Sequence, residues 1–222
     1  MYPSGNLFIP APHGRIEAIL KEPRLDTGLT PRGVALVLHP HPLHGGTMHN
    51  KVAFRAARGL SDAGLVTLRV NFRGVGQSTG AHDHARGGEQ EDARIALDYL
   101  SEKYPGLPVV LAGFSFGARV GLEVGTLDAR VGYLIGIGTP VSISERDYDF
   151  SFLRECRKPI LFVHGEQDEF GDVETLRSLA AQLPPEARAE VKIIPGAGHF
   201  FDHQLEELSR VIREWTESVV RS

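Results

Sequence analysis

The chain has 222 residues, of which 41% are hydrophobic and 23% charged, and this composition predicts one globular domain spanning residues 1–222. Acidic residues outnumber basic ones 28 to 24, so the net charge of −4 leaves no cationic excess for nucleic acid or an anionic membrane. The single cysteine excludes an intrachain disulfide. The sequence has neither a signal-peptide pattern nor an apolar run of about 18 residues, so we expect a cytoplasmic protein.

The order of apolar residues predicts alternating strands and helices. Residues 7–10 and 15–21 are expected to form an antiparallel hairpin. Later runs are rich in Val, Ile and Leu without polar alternation, which is typical of strands buried in a parallel sheet. These predicted strands are residues 34–38, 66–70, 109–112, 134–137 and 160–163, and residues 191–194 are taken as a further strand. Helical spacing is found in residues 51–63, 89–104, 116–124, 173–183 and 205–219.

This alternation predicts an α/β fold in which a mostly parallel sheet has helices on both faces. In open sheets of this kind, ligands bind at the carboxyl ends of the strands. The polar residues that directly follow the predicted strands are therefore the first candidates for a functional site.

Residues 113–117, Gly-Phe-Ser-Phe-Gly, match the G-x-S-x-G pattern of a nucleophile elbow. They directly follow the strand at residues 109–112 and open a predicted helix, which is the context that the pattern requires. Serine at such a turn has a strained backbone, and the flanking glycines avoid collisions with neighbouring elements. A second match at residues 76–80 runs into a polar loop, so Ser115 and not Ser78 is the predicted nucleophile.

A serine hydroxyl needs an imidazole base to become a nucleophile, and that base needs an acceptor for its other ring nitrogen. Asp168 follows the strand at residues 160–163, and His199 follows the strand at residues 191–194. Both therefore belong at the same edge of the sheet as Ser115. We predict a catalytic triad of these three residues.

Three nearby residues remain alternatives for the acid and the base. Glu166 and Glu169 lie in the same turn as the predicted acid, and His203, at the start of the last helix, can replace the predicted base. His164 ends its strand just before the acid loop and is interpreted as a structural residue.

An oxyanion hole needs two backbone N–H donors, one from the residue after the nucleophile and one from the loop after an earlier strand. Phe116 supplies the first donor. Proline has no N–H, so Pro40 and Pro42 are excluded in the second loop. His41 and Leu43 remain, and the sequence leaves both open.

Histidines are frequent between residues 39 and 84, but none has the i, i+4 spacing of zinc ligands on a helix. We therefore predict no metal and no cofactor. Residues 82–89 are predicted to form a surface loop leading into a helix. Cys156 is interpreted as an unreactive thiol, and Phe200 or Phe201 is a candidate lining residue of a substrate pocket.

Together, these motifs resemble the α/β-hydrolase superfamily and, more narrowly, small lidless bacterial serine hydrolases described as carboxylesterases. The stretches that carry the resemblance are residues 39–51, 71–74, 113–117, 147–152 and 198–201. The resemblance implies an α/β-hydrolase fold with a Ser-His-Asp triad, and it places His39 and His41 in the oxyanion loop.

A helical lid is commonly inserted after the sixth strand in this superfamily, but here only residues 139–159 separate that strand from the next. We therefore expect an open site without a large lid. The predicted activity is hydrolysis of small, short-chain carboxylic esters through an acyl-enzyme, with a small-molecule ester as the partner. A thioesterase or an acyl-peptide hydrolase with the same triad is the alternative, and a non-catalytic binding module is a third reading. The oligomeric state is left open.

Overall fold

The computed structural model describes residues 7–23, 30–143 and 148–220. The strands in these ranges are β1 (Leu7–Ala11), β2 (Gly14–Lys21), β3 (Gly33–Leu38), β4 (Leu65–Val70), β5 (Val109–Phe114), β6 (Val131–Ile137), β7 (Ile160–Gly165) and β8 (Glu190–Ile194). The α-helices are α1 (Lys51–Asp62), α2 (Gly88–Lys103), α3 (Phe116–Leu127), α4 (Val173–Ala181) and α5 (Leu205–Val219). Every predicted strand and helix is therefore found, with ends that move by up to three residues.

All the strands above form one sheet in the order β1-β2-β4-β3-β5-β6-β7-β8. The β1–β2 hairpin is antiparallel, and β2 pairs antiparallel with β4. Every other neighbouring pair is parallel. The carboxyl ends of β3 to β8 consequently lie along one edge of the sheet, which confirms the predicted mostly parallel α/β architecture.

Helices cover both faces of the sheet and bury a separate apolar core on each. One core holds apolar side chains of α2, α3 and α4, and the other holds those of α1 and α5. The central strands β3, β5 and β7 are buried along their whole length. Burial on both faces explains why their sequences read as unbroken apolar runs.

Local side chains define where several helices begin and end. The Asn50 side chain accepts from the N–H groups of Val52 and Ala53 and so caps α1. Asp172 caps α4 through the Thr175 N–H at 2.9 Å. Helix α4 ends two residues before its predicted end, because Pro184 disfavours helical backbone in the residue before it.

The segment between β6 and β7 is short. Within it, residues 139–143 and 148–159 are described, and they contain a 3-10 helix at Ser151–Glu155. Residues 144–147, which include Asp147 of the motif at residues 147–152, lie outside the described residues. No helix in the described ranges is long and apolar enough to cross a membrane.

Candidate active site

The turn after β5 has the backbone geometry of a nucleophile elbow. Ser115 lies between β5 and α3 with a φ of 55° and a ψ of −118°, which is uncommon for a residue with a side chain. A Cβ at Gly113 would lie 2.0 Å from the Gly117 carbonyl oxygen, and one at Gly117 would lie 2.5 Å from the His39 carbonyl oxygen. Only glycine therefore allows this turn to pack so closely against β3 and α3.

A continuous chain of hydrogen bonds joins Ser115, His199 and Asp168. His199 Nε2 is 3.0 Å from Ser115 Oγ, and His199 Nδ1 is 2.8 Å from Asp168 Oδ2. His199 and Asp168 are only 4% and 7% exposed. Because an ionised carboxylate only accepts hydrogen bonds, neutral His199 carries its proton on Nδ1 and leaves Nε2 able to accept a proton from Ser115.

The alternative acids and the alternative base take no part in these hydrogen bonds. Glu166 and Glu169 are exposed, and Glu166 instead accepts from the Gly196 N–H at 2.8 Å. His203 is exposed as well. Among the described residues, none of these three side chains bonds to Ser115 or His199.

The serine of the second G-x-S-x-G match is part of a buried backbone network. Ser78 Oγ accepts from the Glu17 N–H at 2.8 Å and donates to the Asn71 carbonyl at 2.7 Å. The first bond ties the loop after β4 to strand β2, and the second joins two residues within that loop. The Ser78 hydroxyl is thus used for structure, and among the described residues it bonds to no imidazole.

His164 supports the loop that carries the acid. It is completely buried at the end of β7, and its Nε2 donates to the Gly171 carbonyl, which lies beyond Asp168 in the same loop. The same nitrogen is 3.7 Å from Asp168 Oδ2. These contacts agree with the structural role expected from its position in the sequence.

The two loop candidates for the second oxyanion donor differ in their hydrogen bonds. The Leu43 N–H donates to His41 Nδ1 at 3.2 Å, and the Leu43 side chain is 69% exposed. In the described part of the chain, the backbone N–H groups of His41 and Phe116 donate to no acceptor. This difference favours His41 over Leu43 as the partner of Phe116.

Ser115 and His199 line an open cavity of about 420 Å³. Two exposed phenyl rings, Phe170 and Phe200, stand on its wall, with ring centroids 4.7 and 5.2 Å from that of His199. Phe200 thus lines the cavity as the sequence suggests, whereas Phe201 is completely buried in the core. No sequence pattern indicated Phe170, which becomes a lining residue only through the course of the loop that carries Asp168.

Four histidines line another part of the same cavity, and we call this group the imidazole wall: His41, His44, His82 and His84. The His41 ring lies 4.4 Å from that of His44 and 5.0 Å from that of His82. Burial, and then the charges of the other three imidazoles, lower the pKa of His41 from 6.5 to about 4. His41 is therefore neutral at pH 7.

The predicted surface loop at residues 82–89 is only partly correct: residues 85 and 86 are exposed, but residues 84, 88 and 89 are buried. His84 is 9% exposed, and Glu89, in the first turn of α2, is fully buried. Glu89 Oε1 accepts from His82 Nδ1 at 2.9 Å and from the Asp83 N–H at 3.2 Å. The segment follows β4 at the carboxyl edge of the sheet. This position in the sequence could have indicated that the segment contributes to the site.

The imidazole wall does not have the geometry of a metal centre. Across residues 7–23, 30–143 and 148–220, no group of three or more His, Cys, Asp or Glu side chains is arranged to hold a metal ion. The stacking of His41 on His44, with an angle of 23° between the rings, is a packing contact and not a shared coordination geometry.

Comparison with known proteins identifies the family. The sequence model of the alpha/beta hydrolase domain matches residues 34–220. An uncharacterized protein of Rickettsia prowazekii is 36% identical over 214 residues, which are 94% of this chain and 87% of the relative. A monoacylglycerol lipase of Mycolicibacterium smegmatis is 30% identical over 92 residues, covering 40% of this chain and 31% of the lipase.

A solved structure extends the comparison to the whole fold. The crystal structure of an α/β serine hydrolase without a lid from Xanthomonas campestris has a TM-score of 0.87 and 31% identity, covering 100% of this chain and 98% of its own. The chain therefore belongs to the alpha/beta hydrolase family, among its lidless serine hydrolases.

Proposed function

We propose that this protein is a serine carboxylesterase that hydrolyses small, short-chain carboxylic esters through an acyl-enzyme. The observation that carries the proposal is the chain of hydrogen bonds from Asp168 through His199 to Ser115 on the wall of an open cavity. A serine, an imidazole base and an orienting carboxylate are the groups that acyl transfer requires. The mycolicibacterial relative is named a monoacylglycerol lipase, and this name supports an ester as the substrate over a thioester or an amide.

In the proposed reaction, Ser115 Oγ attacks the ester carbonyl carbon while its proton passes to His199 Nε2. Asp168 holds the imidazole in the required tautomer and stabilises the imidazolium that forms. The tetrahedral oxyanion accepts hydrogen bonds from the backbone N–H groups of Phe116 and His41, each worth about 3 kcal/mol in the transition state.

Collapse of this intermediate breaks the bond to the alcohol oxygen, and the imidazolium gives its proton to the leaving alcohol. A water molecule then attacks the acyl-enzyme, losing a proton to the same imidazole. The acid leaves and the Ser115 hydroxyl is regenerated. The ester and water are the only reactants that these steps consume.

The substrate size follows from the access to the site. The cavity of about 420 Å³ is open, and residues 139–159 are too few to form a large helical cap over it. Such a site takes dissolved esters directly and holds a short acyl chain better than a long one.

The test is hydrolysis of p-nitrophenyl esters from acetyl to palmitoyl by the wild type, Ser115→Ala and Ser78→Ala. We expect a preference for short chains in the wild type and loss of activity in Ser115→Ala. Ser78→Ala is the matched control, because it alters the other G-x-S-x-G serine; it should melt at a lower temperature and keep its activity.

Turnover by Ser115→Ala equal to that of the wild type would refute the assignment of the nucleophile. A wild type that is labelled at Ser115 by a phosphonate probe, but cleaves only matched thioesters or anilides, would replace the carboxylesterase with a thioesterase or an acyl-peptide hydrolase. An absence of labelling would indicate a non-catalytic binding module.

A further inference from the structure

The side chains of the imidazole wall lie in the cavity with Ser115 but take no part in the proposed acyl transfer. Only the backbone of one of them, His41, is used there. Phe116 packs against three of these rings, with centroid distances of 4.9 Å to His41, 5.7 Å to His82 and 4.8 Å to His84. The wall is thus held next to the elbow, within reach of a substrate bound at Ser115.

The hydrogen bonds of His41 define which of its ring nitrogens carries the proton. Nδ1 accepts from the Leu43 N–H at 3.2 Å. Since the lowered pKa keeps this ring neutral at pH 7, its proton is on Nε2. Nε2 donates to no acceptor in the described residues, so His41, a residue of the cavity wall, has an unused N–H donor.

His82 has the opposite arrangement. Its Nδ1 donates to the buried Glu89 carboxylate at 2.9 Å, because an ionised carboxylate only accepts. In the neutral ring this bond leaves Nε2 as an acceptor, and Nε2 has no donor among the residues that the structure describes. The His41 and His82 ring centroids are 5.0 Å apart, so the unused donor and the unused acceptor belong to neighbouring rings of the cavity wall.

We propose that the side chains of His41 and His82 form a subsite for a hydroxyl group of the substrate, and that the preferred esters carry a hydroxyl close to the scissile carbonyl. This inference rests on the proposed esterase function. A hydroxyl accepts from His41 Nε2–H and donates to His82 Nε2, so it satisfies both rings at once. A carboxylate offers only acceptors and an ammonium only donors, so either leaves one ring unpaired.

The closing experiment compares pairs of esters that differ by hydroxyl groups. One pair changes the acyl part, methyl butyrate against methyl 3-hydroxybutyrate, and the other changes the alcohol part, propyl butyrate against 2,3-dihydroxypropyl butyrate. Monomethyl succinate provides the anionic comparison. Release of acid at constant pH gives kcat/KM for each ester with the same readout.

Two asparagine variants each remove the unpaired ring nitrogen Nε2 and keep the hydrogen bond that Nδ1 makes. In His82→Asn, the amide N–H replaces Nδ1–H towards Glu89, while the acceptor Nε2 is lost. In His41→Asn, the amide oxygen replaces Nδ1 as acceptor for the Leu43 N–H, while the donor Nε2–H is lost. His49→Asn is the matched control, because His49 is exposed and is not part of the cavity wall.

We expect the wild type to prefer the hydroxylated member of at least one pair by roughly tenfold in kcat/KM, the effect of one well-made hydrogen bond. Either cavity variant should bring this ratio close to one, and His49→Asn should leave it unchanged. If one variant does not fold, the other carries the same test.

A wild-type ratio near one in both pairs would overturn the subsite while the esterase function stands. So would a ratio that survives in both cavity variants. A preference for monomethyl succinate over methyl 3-hydroxybutyrate would also overturn it, since it would indicate an anion site. If the wild type hydrolyses none of the esters, the proposed function fails, and this inference fails with it.

Discussion

Replacement of His39 tests how the loop after β3 is held in place. His39 is completely buried, its Nδ1 donates to the Pro40 carbonyl at 2.6 Å, and its Nε2 accepts from the Phe72 N–H at 3.0 Å. The peptide between Pro40 and His41 is planar and trans, so the bond that holds the Pro40 carbonyl also directs the His41 N–H, the proposed oxyanion donor.

The same burial makes His39 a source of pH-dependent stability. Burial, and to a lesser degree the charge of His41, lowers the pKa of His39 from 6.5 to about 4, although the bond to Pro40 acts in the opposite direction. Between these values the unfolded chain binds a proton that the folded chain does not. The contribution of neutral His39 to the free energy of unfolding is therefore fully present above pH 6.5 and is lost as the pH falls towards 4. The free energy of unfolding falls by about 2 kcal/mol between about pH 7.5 and about pH 5.

Urea unfolding of the wild type, His39→Asn and His39→Gln over this pH range measures that loss. Asparagine keeps a donor for the Pro40 carbonyl, and glutamine keeps an acceptor for the Phe72 N–H, so each variant leaves one buried partner unpaired at a cost of about 1–3 kcal/mol. Neither side chain titrates. Between about pH 7.5 and about pH 5, the free energy of unfolding should thus fall by about 2 kcal/mol less in both variants than in the wild type.

The activities of the two variants separate positioning from general stability. His39→Asn keeps the bond that directs the His41 N–H, so its kcat should stay close to that of the wild type. His39→Gln loses that bond, and its kcat should fall by about 10- to 100-fold with little change in KM. Equal pH slopes in all three proteins would refute the stability argument, and equal kcat values in the two variants would refute the positioning argument.

Three further predictions follow from the site. Asp168→Asn should lower kcat about 10⁴-fold while the protein stays folded, because the amide no longer favours the required His199 tautomer; a loss below about tenfold in steady-state assays would contradict this. Gly117→Ala should lower stability by about 1–3 kcal/mol and remove most activity, since its Cβ would lie 2.5 Å from the His39 carbonyl oxygen; an unchanged melting temperature would argue against the tight turn. The rate on a short-chain triglyceride should rise smoothly through its solubility limit, and a jump at emulsion formation would contradict the open site.

The strands and the order of the candidate site residues could be predicted because both depend on short stretches of sequence. Ser115 and Asp168 stand in the loops directly after β5 and β7, which are buried and mostly apolar, and His199 follows the partly exposed edge strand β8. The first residues of β6 were missed, because the half-buried Gly132 and Tyr133 interrupt its apolar run. Pairing with β5 makes these residues a strand, and such pairing cannot be read from one strand alone.

The burial of His84 and Glu89 could not be predicted for a related reason. A run of polar residues between a turn and a helix is ordinarily exposed, and here most of these residues are polar. The start of α2 at the carboxyl edge of the sheet instead buries Glu89, and His82 offsets the cost of that burial by donating to it. Only the three-dimensional arrangement brings His82 to the cavity of Ser115.

Two histidines of the cavity wall, His82 and His199, are thus each held by a buried carboxylate, and their surroundings assign them different tasks. In His199 and Asp168, the far nitrogen of the ring is 3.0 Å from a hydroxyl held in a strained turn, so a proton can pass to it as that hydroxyl attacks. In His82 and Glu89, the far nitrogen meets no hydroxyl of the described protein and is left for a hydroxyl of the ligand. A histidine bound to a carboxylate through one ring nitrogen therefore acts as a base when its other nitrogen faces a nucleophilic hydroxyl of the protein. It acts as a binding group when that nitrogen is left for the ligand.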